Sequence, residues 1–440
     1  ASIPTFKGDP KMFDIDLTYD ELPSQSEASP YKLIHRVAVR GIIYNNDKLL
    51  MVQTKHGDYK FPGGGVGDGE TYEEALLREI REETGHADVT VCCMIGRTFE
   101  QNIDWFEDNA YFQMESYYYV CRLNSDTLCD ADQEEYEKAL GYRAVKVDAE
   151  DAFETNEELW IKAMAGQTRL DSTTWPREYD GLDREYKVLE AIKDMVVGKI
   201  IAQVYDCGQI IKNADRSRMA VSEKAGKANF VTSYDKAVQE LIKDRLLRVF
   251  PNAVFVGEEE DIHESIKKGY AFIVDPIDGT TNFMKDYHMS CISVGMTYNG
   301  DLLAGVIYNP YLEEIYYTRA GKGAFCNGRQ IHVSDNPIDK SIVLFGTSPY
   351  NPELKDKTFG LAMDYFDKAL DLRRSGSAAL DLCAIASGRA DLYFECILSP
   401  WDYAAGALLV REAGGRVTTL EGEEISLEKK CSILATNGAA

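Results

Sequence analysis

Apolar positions recur along this chain with two different periods, and these mark where helices and strands fall. Residues 1–30 are polar with scattered Pro and Ser and read as an extended arm. From Ile34 to Thr54 two apolar stretches flank Asn45-Asn46-Asp47-Lys48, the pattern of a β-hairpin. A glycine-rich turn (Pro62 to Gly69) leads into a helical period from about Tyr72 to Thr84. Thr71 and Glu74 form a capping-box pair at its start, and Gly85 suits its end. Strands are expected at Glu115–Leu123 and Ala144–Val147, then a charged helical region from Asp151 to about Lys193. A further helix is expected near Asp194 to Asn213. Over Ser233–Phe250, Val238, Leu241, Ile242, Leu246 and Val249 recur at helical spacing, and Pro251 stops the run. Strand-like segments then come in quick succession at 254–256, 271–274, 291–297, 302–308 and 314–318. Two helical segments, Ala378–Ser387 and Asp402–Ala413, each run into glycine.

A chain of 440 residues suits two cores of roughly 200 residues rather than one. The pattern divides near residue 193, into 1–193 with its N-terminal arm and 194–440. The net charge of −25 disfavours nucleic acid and anionic membrane surfaces, which both require a basic footprint. Small phosphorylated metabolites stay open as partners, because bound divalent cations reverse a local field. The ten cysteines form no CxxC pair, and several lie in apolar runs, as expected of reduced thiols in the cytoplasm. The acidic N-terminus lacks the apolar stretch of a signal peptide, and no run of about 18 apolar residues suggests a membrane span. The six histidines form no close pair, and the 63–69 turn lacks the Gly-Lys-Ser/Thr of a P-loop.

Between Gly64 and Gly85 the chain reads GGVGDGETYEEALLREIREETG. On a helix, Glu79, Glu82 and Glu83 fall within an arc of about 100°. Carboxylates that close repel by about 4 kcal/mol per pair at an effective dielectric near 20. A divalent cation removes the conflict, and hard oxygen ligands suit Mg²⁺ or Mn²⁺. The spacing Gly64, Glu70, Arg78-Glu79, Glu82-Glu83, Gly85 resembles the Nudix box, G-x5-E-x7-R-E-U-x-E-E-x-G-U. Its one departure is His86 at the last aliphatic position. A solvated acidic helix face accounts for REIREE alone but not for the glycine and Glu70 spacing. The resemblance implies an αβα sandwich that hydrolyses a nucleoside diphosphate linked to another moiety. By that analogy Glu79, Glu82 and Glu83 hold metal, Glu79 also serves catalysis, Arg78 orients the glutamates, and Gly64 and Glu70 belong to the substrate site. Tyr111, Phe112, Tyr117, Tyr118 and Tyr119 have the alternation of a packed strand more than that of a base-stacking platform.

Three further motifs follow in order. Gly257-Glu258-Glu259 and Asp275-Pro276-Ile277-Asp278-Gly279-Thr280-Thr281-Asn282 each end an apolar strand, and Trp401-Asp402-Tyr403-Ala404-Ala405-Gly406 opens a helix. Clustered carboxylates at strand ends suit the metal clamp that phosphate monoester hydrolysis needs. Taken singly, Asp402 is equally a helix-start residue after Pro400, and Asp235 a first-turn carboxylate. Together with Val231-Thr232-Ser233-Tyr234-Asp235 and Gly376-Ser377-Ala378-Ala379, the set resembles the inositol monophosphatase family over roughly 200–440. The resemblance implies a layered αβαβα sandwich, commonly a homodimer. It makes Glu258, Asp275, the Ile277 carbonyl, Asp278 and Asp402 metal ligands. Asp235 and Thr280 would then position the attacking water. Gly279, Thr280, Gly376, Ser377, Ala378 and Glu395 would meet the substrate. The segment EKAGKANF around Lys224 departs from many relatives, which carry an Asp before the Val-Thr pair.

The function expected is therefore bifunctional Mg²⁺-dependent hydrolysis, with inositol monophosphate as first choice for the second half. Alternatives are a nucleotide 2′- or 3′-phosphatase and a Nudix half that acts as a regulatory nucleotide sensor. Coupling, in which the second half consumes a product of the first, rests only on the covalent fusion.

Overall fold

The computed structural model describes residues 12–22, 31–104, 107–129, 134–165, 181–223, 230–260 and 264–440. The chain folds as two compact units, Ala1–Ala202 and Gln203–Ala440, and the division falls inside helix Val196–Lys212. Residue 193 lies just before that helix, at the end of helix Leu182–Ile192.

In the first unit a mixed sheet runs Phe13–Thr18, Val89–Ile103, Ala110–Leu123, Lys32–Asn45, Lys48–Gln53, Tyr59–Lys60. Gly63–Gly65 pairs with Lys32–Asn45, and Arg143–Val147 with Lys48–Gln53. The expected hairpin turns through Asn46-Asp47, with Asn45 opposite Lys48 and Asn46 left-handed. Neighbours in a strand face opposite ways, and Val39 and Arg40 show both faces in use. Val39, Ile43, Cys121 and Leu123 bury against Ala75, Leu76 and Ile80 of helix Tyr72–Thr84. On Arg40's face lies helix Leu182–Ile192. Its Arg184 binds Glu100 at 2.8 Å and Glu185 at 2.7 Å, and Glu185 accepts the Phe61 N–H at 3.1 Å. These charges are buried but mutually satisfied, the condition under which burial is tolerated. Helix, sheet and helix form a three-layer sandwich.

The N-terminal segment differs from the expected arm. Phe13–Thr18 is an edge strand, parallel to Val89–Ile103. Phe13 and Leu17 are buried, and Phe13 meets the Tyr118 ring edge-on at 5.4 Å. Alternating Phe13, Ile15 and Leu17 carry the strand through otherwise polar sequence. Its partner Val89–Ile103 is masked in the sequence for another reason: bulges between Val91 and Cys93 and between Met94 and Gly96 break the alternation.

The second unit has two sheets. One runs Val254–Gly257, Tyr270–Asp278, Cys291–Tyr298, Asp301–Asn309, Glu314–Arg319, Ala324–Cys326, Arg329–Ile331. The other runs Asp371–Arg373, Ile342–Phe345, Leu392–Leu398, Cys431–Thr436, Arg416–Thr418. Helices Ala378–Ala386 and Pro400–Glu412 fill the space between them, joining Ile307 and Tyr316 of the first sheet to Tyr393 and Ile433 of the second in one core. Helix Ser233–Val249 packs on the outer face of the first sheet, and residues 203–212 lie beside it, with Tyr205 stacked on Tyr308 and Arg245 bound to the Gln203 carbonyl. Ala362 of helix Lys355–Phe366 packs on Val343, Leu392 and Phe394 of the other sheet. The result is five alternating layers, αβαβα. Among the described residues no helix is long and apolar enough to cross a membrane. All ten cysteines are free, and none is fully exposed.

Candidate functional site

In the second unit a cavity of about 390 Å³ opens where strand Tyr270–Asp278 and helix Pro400–Glu412 meet. Carboxylate oxygens of Asp275, Asp278 and Asp402 lie within 4.8 Å of one another there. The elements that carry them explain the geometry. Asp275 and Asp278 sit at either side of a register shift, not in the simple turn that DPIDG suggests. The Ile277 N–H donates to Asp275 Oδ1 at 2.9 Å. Asp402 is the third residue of its helix, capped by Ser399, and accepts the Ser399 N–H at 2.7 Å. It thus fills the helix-start role and the cluster at once. Asp235 repeats this design: it is capped by Thr232 and accepts the Thr232 N–H at 2.8 Å. Its other oxygen faces the Thr280 hydroxyl at 3.3 Å, which is also 3.3 Å from the Ile277 carbonyl.

Electrostatics match this crowding. Burial, then repulsion from Glu258 and Asp278, pushes Asp275 and Asp402 well above the usual carboxylate range. Burial raises Asp278 to about 6, opposed by hydrogen bonds from Ser377 and the Ala379 N–H. Burial also raises Asp235 against its Thr232 bonds. Among the described residues no Lys or Arg forms an ion pair with these aspartates. Hard oxygens concentrated in a buried cavity without such a cation suit a divalent metal.

Of the remaining expected residues, Glu258, Gly279, Gly376, Ser377, Ala378 and Glu395 all line the cavity. Ser377 works through Asp278, to which its hydroxyl donates. Glu395 accepts the Ser348 N–H at 3.1 Å, the Ser348 hydroxyl at 2.7 Å and the Tyr393 hydroxyl at 2.7 Å. A Cβ on Gly346 would lie 1.8 Å from Glu395 Oε2, so only glycine fits there. Ser348, Tyr350, Arg374, Asp381 and Lys430 also line the cavity and were not singled out from sequence. Only Arg374 and Asp381, flanking the GSAA stretch, had a nearby motif to point to them. The EKAGKANF departure falls mostly on 224–229, outside the described residues.

The first unit's site is built from the capped helix. Thr71 and Glu74 form both capping-box bonds, and Gly85 ends the helix in the left-handed region. The Gly63 N–H donates to Glu83 Oε2 at 2.9 Å. A Cβ on Gly64 would sit 2.5 Å from the Glu79 carboxyl carbon, so glycine lets the turn lie against the helix. Glu79, Glu83 and Glu137 bring carboxylate oxygens within 4.8 Å of one another. Glu82 lies outside this group on the more exposed side of the helix, with its Oε2 3.1 Å from Arg78 Nη1, which also holds Glu79 at 2.6 Å. Glu137 replaces it from helix Glu135–Leu140, 54 residues beyond Glu83, where no motif marks it. Burial raises Glu83 to about 8 and also raises Glu79. Glu70 goes the other way: bonds from Arg78 at 2.9 Å to both its oxygens hold it down to about 2. Tyr117 and Tyr118 are core residues, and buried His86 bridges to Leu128 where the box has an aliphatic residue.

Comparison with known proteins agrees with both constellations. Residues 185–440 match the Inositol monophosphatase family model, and 34–160 match the NUDIX domain model. Inositol monophosphatase 2 of Solanum lycopersicum is 39% identical over 238 residues, covering 52% of this chain and 89% of that protein. The putative Nus factor SuhB of Neisseria meningitidis is 37% identical over 233 residues, covering 52% and 88%. The crystal structure of extragenic suppressor protein suhB from Bartonella henselae shares 34% identity, covers 53% of this chain and 90% of that one, and superposes with a TM-score of 0.49. The molecule is a hydrolase of mixed α/β architecture. It belongs to the inositol monophosphatase family and carries a NUDIX domain ahead of the phosphatase unit. Both families are metal-dependent.

Proposed function

We propose that the chain is a bifunctional Mg²⁺-dependent hydrolase, with Mn²⁺ able to substitute. The second unit removes phosphate from a small phosphomonoester such as inositol monophosphate, and the first cleaves a nucleoside diphosphate linked to another moiety. The convergence of Asp275, Asp278 and Asp402 in one buried cavity carries the reading. Those residues, with Glu258 and the Ile277 carbonyl, would hold the metal, which supplies positive charge to phosphate oxygens and acidifies water. Asp235, raised by burial and facing the Thr280 hydroxyl, would orient a water and take its proton. Glu395 keeps acceptor capacity for a substrate hydroxyl after its three bonds. In the first unit Glu79, Glu83 and Glu137 would hold the cation, and Glu70 would brace Arg78.

The test is phosphate release from inositol 1-phosphate with Mg²⁺, beside Asp275→Asn. Release that the variant abolishes supports the reading; no release from metal-loaded protein overturns the choice of inositol phosphate. A screen of nucleoside-diphosphate conjugates beside Glu83→Gln does the same for the first unit. A nucleotide that leaves the first unit's glutamates idle yet alters phosphatase rate would favour the sensor alternative. A homodimer belongs to the same reading, and a monomeric mass by light scattering would remove it. Ten free thiols support a reducing, cytoplasmic setting.

A further inference from the structure

The segment that feeds the first unit's metal-ligand helix changes strand partners on the way. Tyr59–Lys60 pairs with Lys48–Gln53, whereas Gly63–Gly65 pairs with Lys32–Asn45. Phe61 and Pro62 make the crossing between the two ladders. Gly63 then lies hard against its new neighbour: at φ +146° a Cβ would stand 2.0 Å from the Val39 carbonyl oxygen. Its N–H is the group that reaches Glu83 Oε2 at 2.9 Å. The aim of that bond therefore depends on how the crossing is held.

It is held from the face that carries helix Leu182–Ile192. Glu185 of that helix is fully buried and divides its two oxygens. Oε2 accepts the Phe61 N–H at 3.1 Å. Proline has no N–H, so this is the only backbone donor of the crossing, and a buried donor needs a partner. Oε1 faces two arginines, Arg184 at 2.7 Å and Arg40 at 3.8 Å. Arg40 Nη1 in turn donates to the Gly63 carbonyl at 3.4 Å. Both routes from Glu185 lead to the residue whose N–H holds Glu83. Glu100 shares Arg184 at 2.8 Å, but among the described residues no hydrogen bond or ion pair joins Glu100 to Phe61, Arg40 or Gly63. Glu185 stands past residue 160, where the NUDIX match ends, and is the first residue of the inositol monophosphatase match, yet it belongs to the first unit.

We propose that Glu185 is a positioning residue for the first unit's metal site: it holds the Phe61 N–H directly and the Gly63 carbonyl through Arg40, and so aims the Gly63 N–H at Glu83. The proposal rests on the reading that Glu79, Glu83 and Glu137 hold a divalent cation. The competing account makes Glu185 only the counterion of Arg184 and Arg40.

Mn²⁺ titration followed by electron paramagnetic resonance separates these accounts, in the full-length chain with Asp275→Asn and Asp402→Asn to silence the second unit's cluster. Glu185→Gln and Glu100→Gln each remove one charge from the same buried arginine with little change of shape. Glu185→Gln should weaken Mn²⁺ binding by about tenfold and speed amide hydrogen exchange across residues 59–65. Glu100→Gln should leave both within about twofold, even where it lowers the unfolding temperature as much. Arg40→Met keeps Glu185 paired with Arg184 and serves as the test if Glu185→Gln fails to fold. It should weaken binding by about threefold. An arginine felt by the cation only through its charge would instead tighten binding on removal. Equal losses in Glu185→Gln and Glu100→Gln, unchanged binding in Glu185→Gln, or tighter binding in Arg40→Met would overturn the positioning role while leaving the metal site in place. No Mn²⁺ bound before Glu185 is altered would overturn the metal reading of the first unit, and this proposal with it.

Discussion

The two carboxylate clusters solve one electrostatic problem in opposite ways. In the first unit a cation is built into the motif: Arg78 binds Glu70, Glu79 and Glu82 from the same 13-residue stretch, beside Glu83 and Glu137. In the second unit Asp275, Asp278 and Asp402 converge from a strand and a distant helix, and among the described residues no basic side chain pairs with them. The first cluster is thus partly neutralised by its own sequence, whereas the second keeps its mutual repulsion. Removing a charge should cost function in both, but it should relieve strain only where no arginine absorbs it.

The largest effect is expected at Asp275. Asp275→Asn should lower phosphate release by at least about a thousandfold, roughly 4 kcal/mol in the barrier. The same variant, stripped of metal, should unfold at a higher temperature than wild type, because one of several repelling buried carboxylates is gone. Calorimetry in chelator beside the release assay checks this, and a variant that loses stability as well as activity would break the comparison. Next in size is the first unit's metal affinity. Glu83→Gln and Glu137→Gln should each weaken Mn²⁺ binding on the order of tenfold to a hundredfold, and Glu82→Gln by less than about threefold. Titration in an Asp275→Asn/Asp402→Asn background isolates that unit, and equal losses at Glu82 and Glu137 would return Glu82 to the cluster.

The smallest effect concerns acid. Glu70 is held down to about 2 by Arg78, below the roughly 4.3 of an unfolded glutamate. Between those values the unfolded chain binds the extra proton, so stability is present above about pH 5 and falls as pH drops toward 2. Glu70→Gln should flatten this part of the first unit's acid-unfolding curve. An unchanged curve would mean that solvent screens the pair.

Local features were legible because their determinants lie within a few residues of each other. The capped helix Tyr72–Thr84 is specified by Thr71, Glu74 and Gly85, and the hairpin by Asn45 to Lys48. The helix Ser233–Val249 follows from its apolar period and Pro251. Asp235 and Asp402 show where local reading becomes ambiguous. Each has the position of a helix-start carboxylate and occupies it, and only the strand bearing Asp275 and Asp278, brought alongside, makes either part of a site.

By itself, the sequence determined helices such as Tyr72–Thr84 and Ser233–Val249, the two families and the motifs that carry most of the clustered carboxylates, since all of these reside in short-range order. Tertiary structure alone decided that Glu137 stands with Glu79 and Glu83 while Glu82 turns to Arg78. It also decided that Phe13–Thr18 joins a sheet and that Ser348 and Tyr393 hold Glu395. Arg374 and Lys430 reached one cavity the same way. Most of these depend on chain segments far apart in sequence; the Glu82 contact with Arg78 and the Tyr393 contact with Glu395 are local, but nothing in the sequence marks them. Such pairings leave no periodic trace, because packing chooses among partners that composition and spacing leave equivalent.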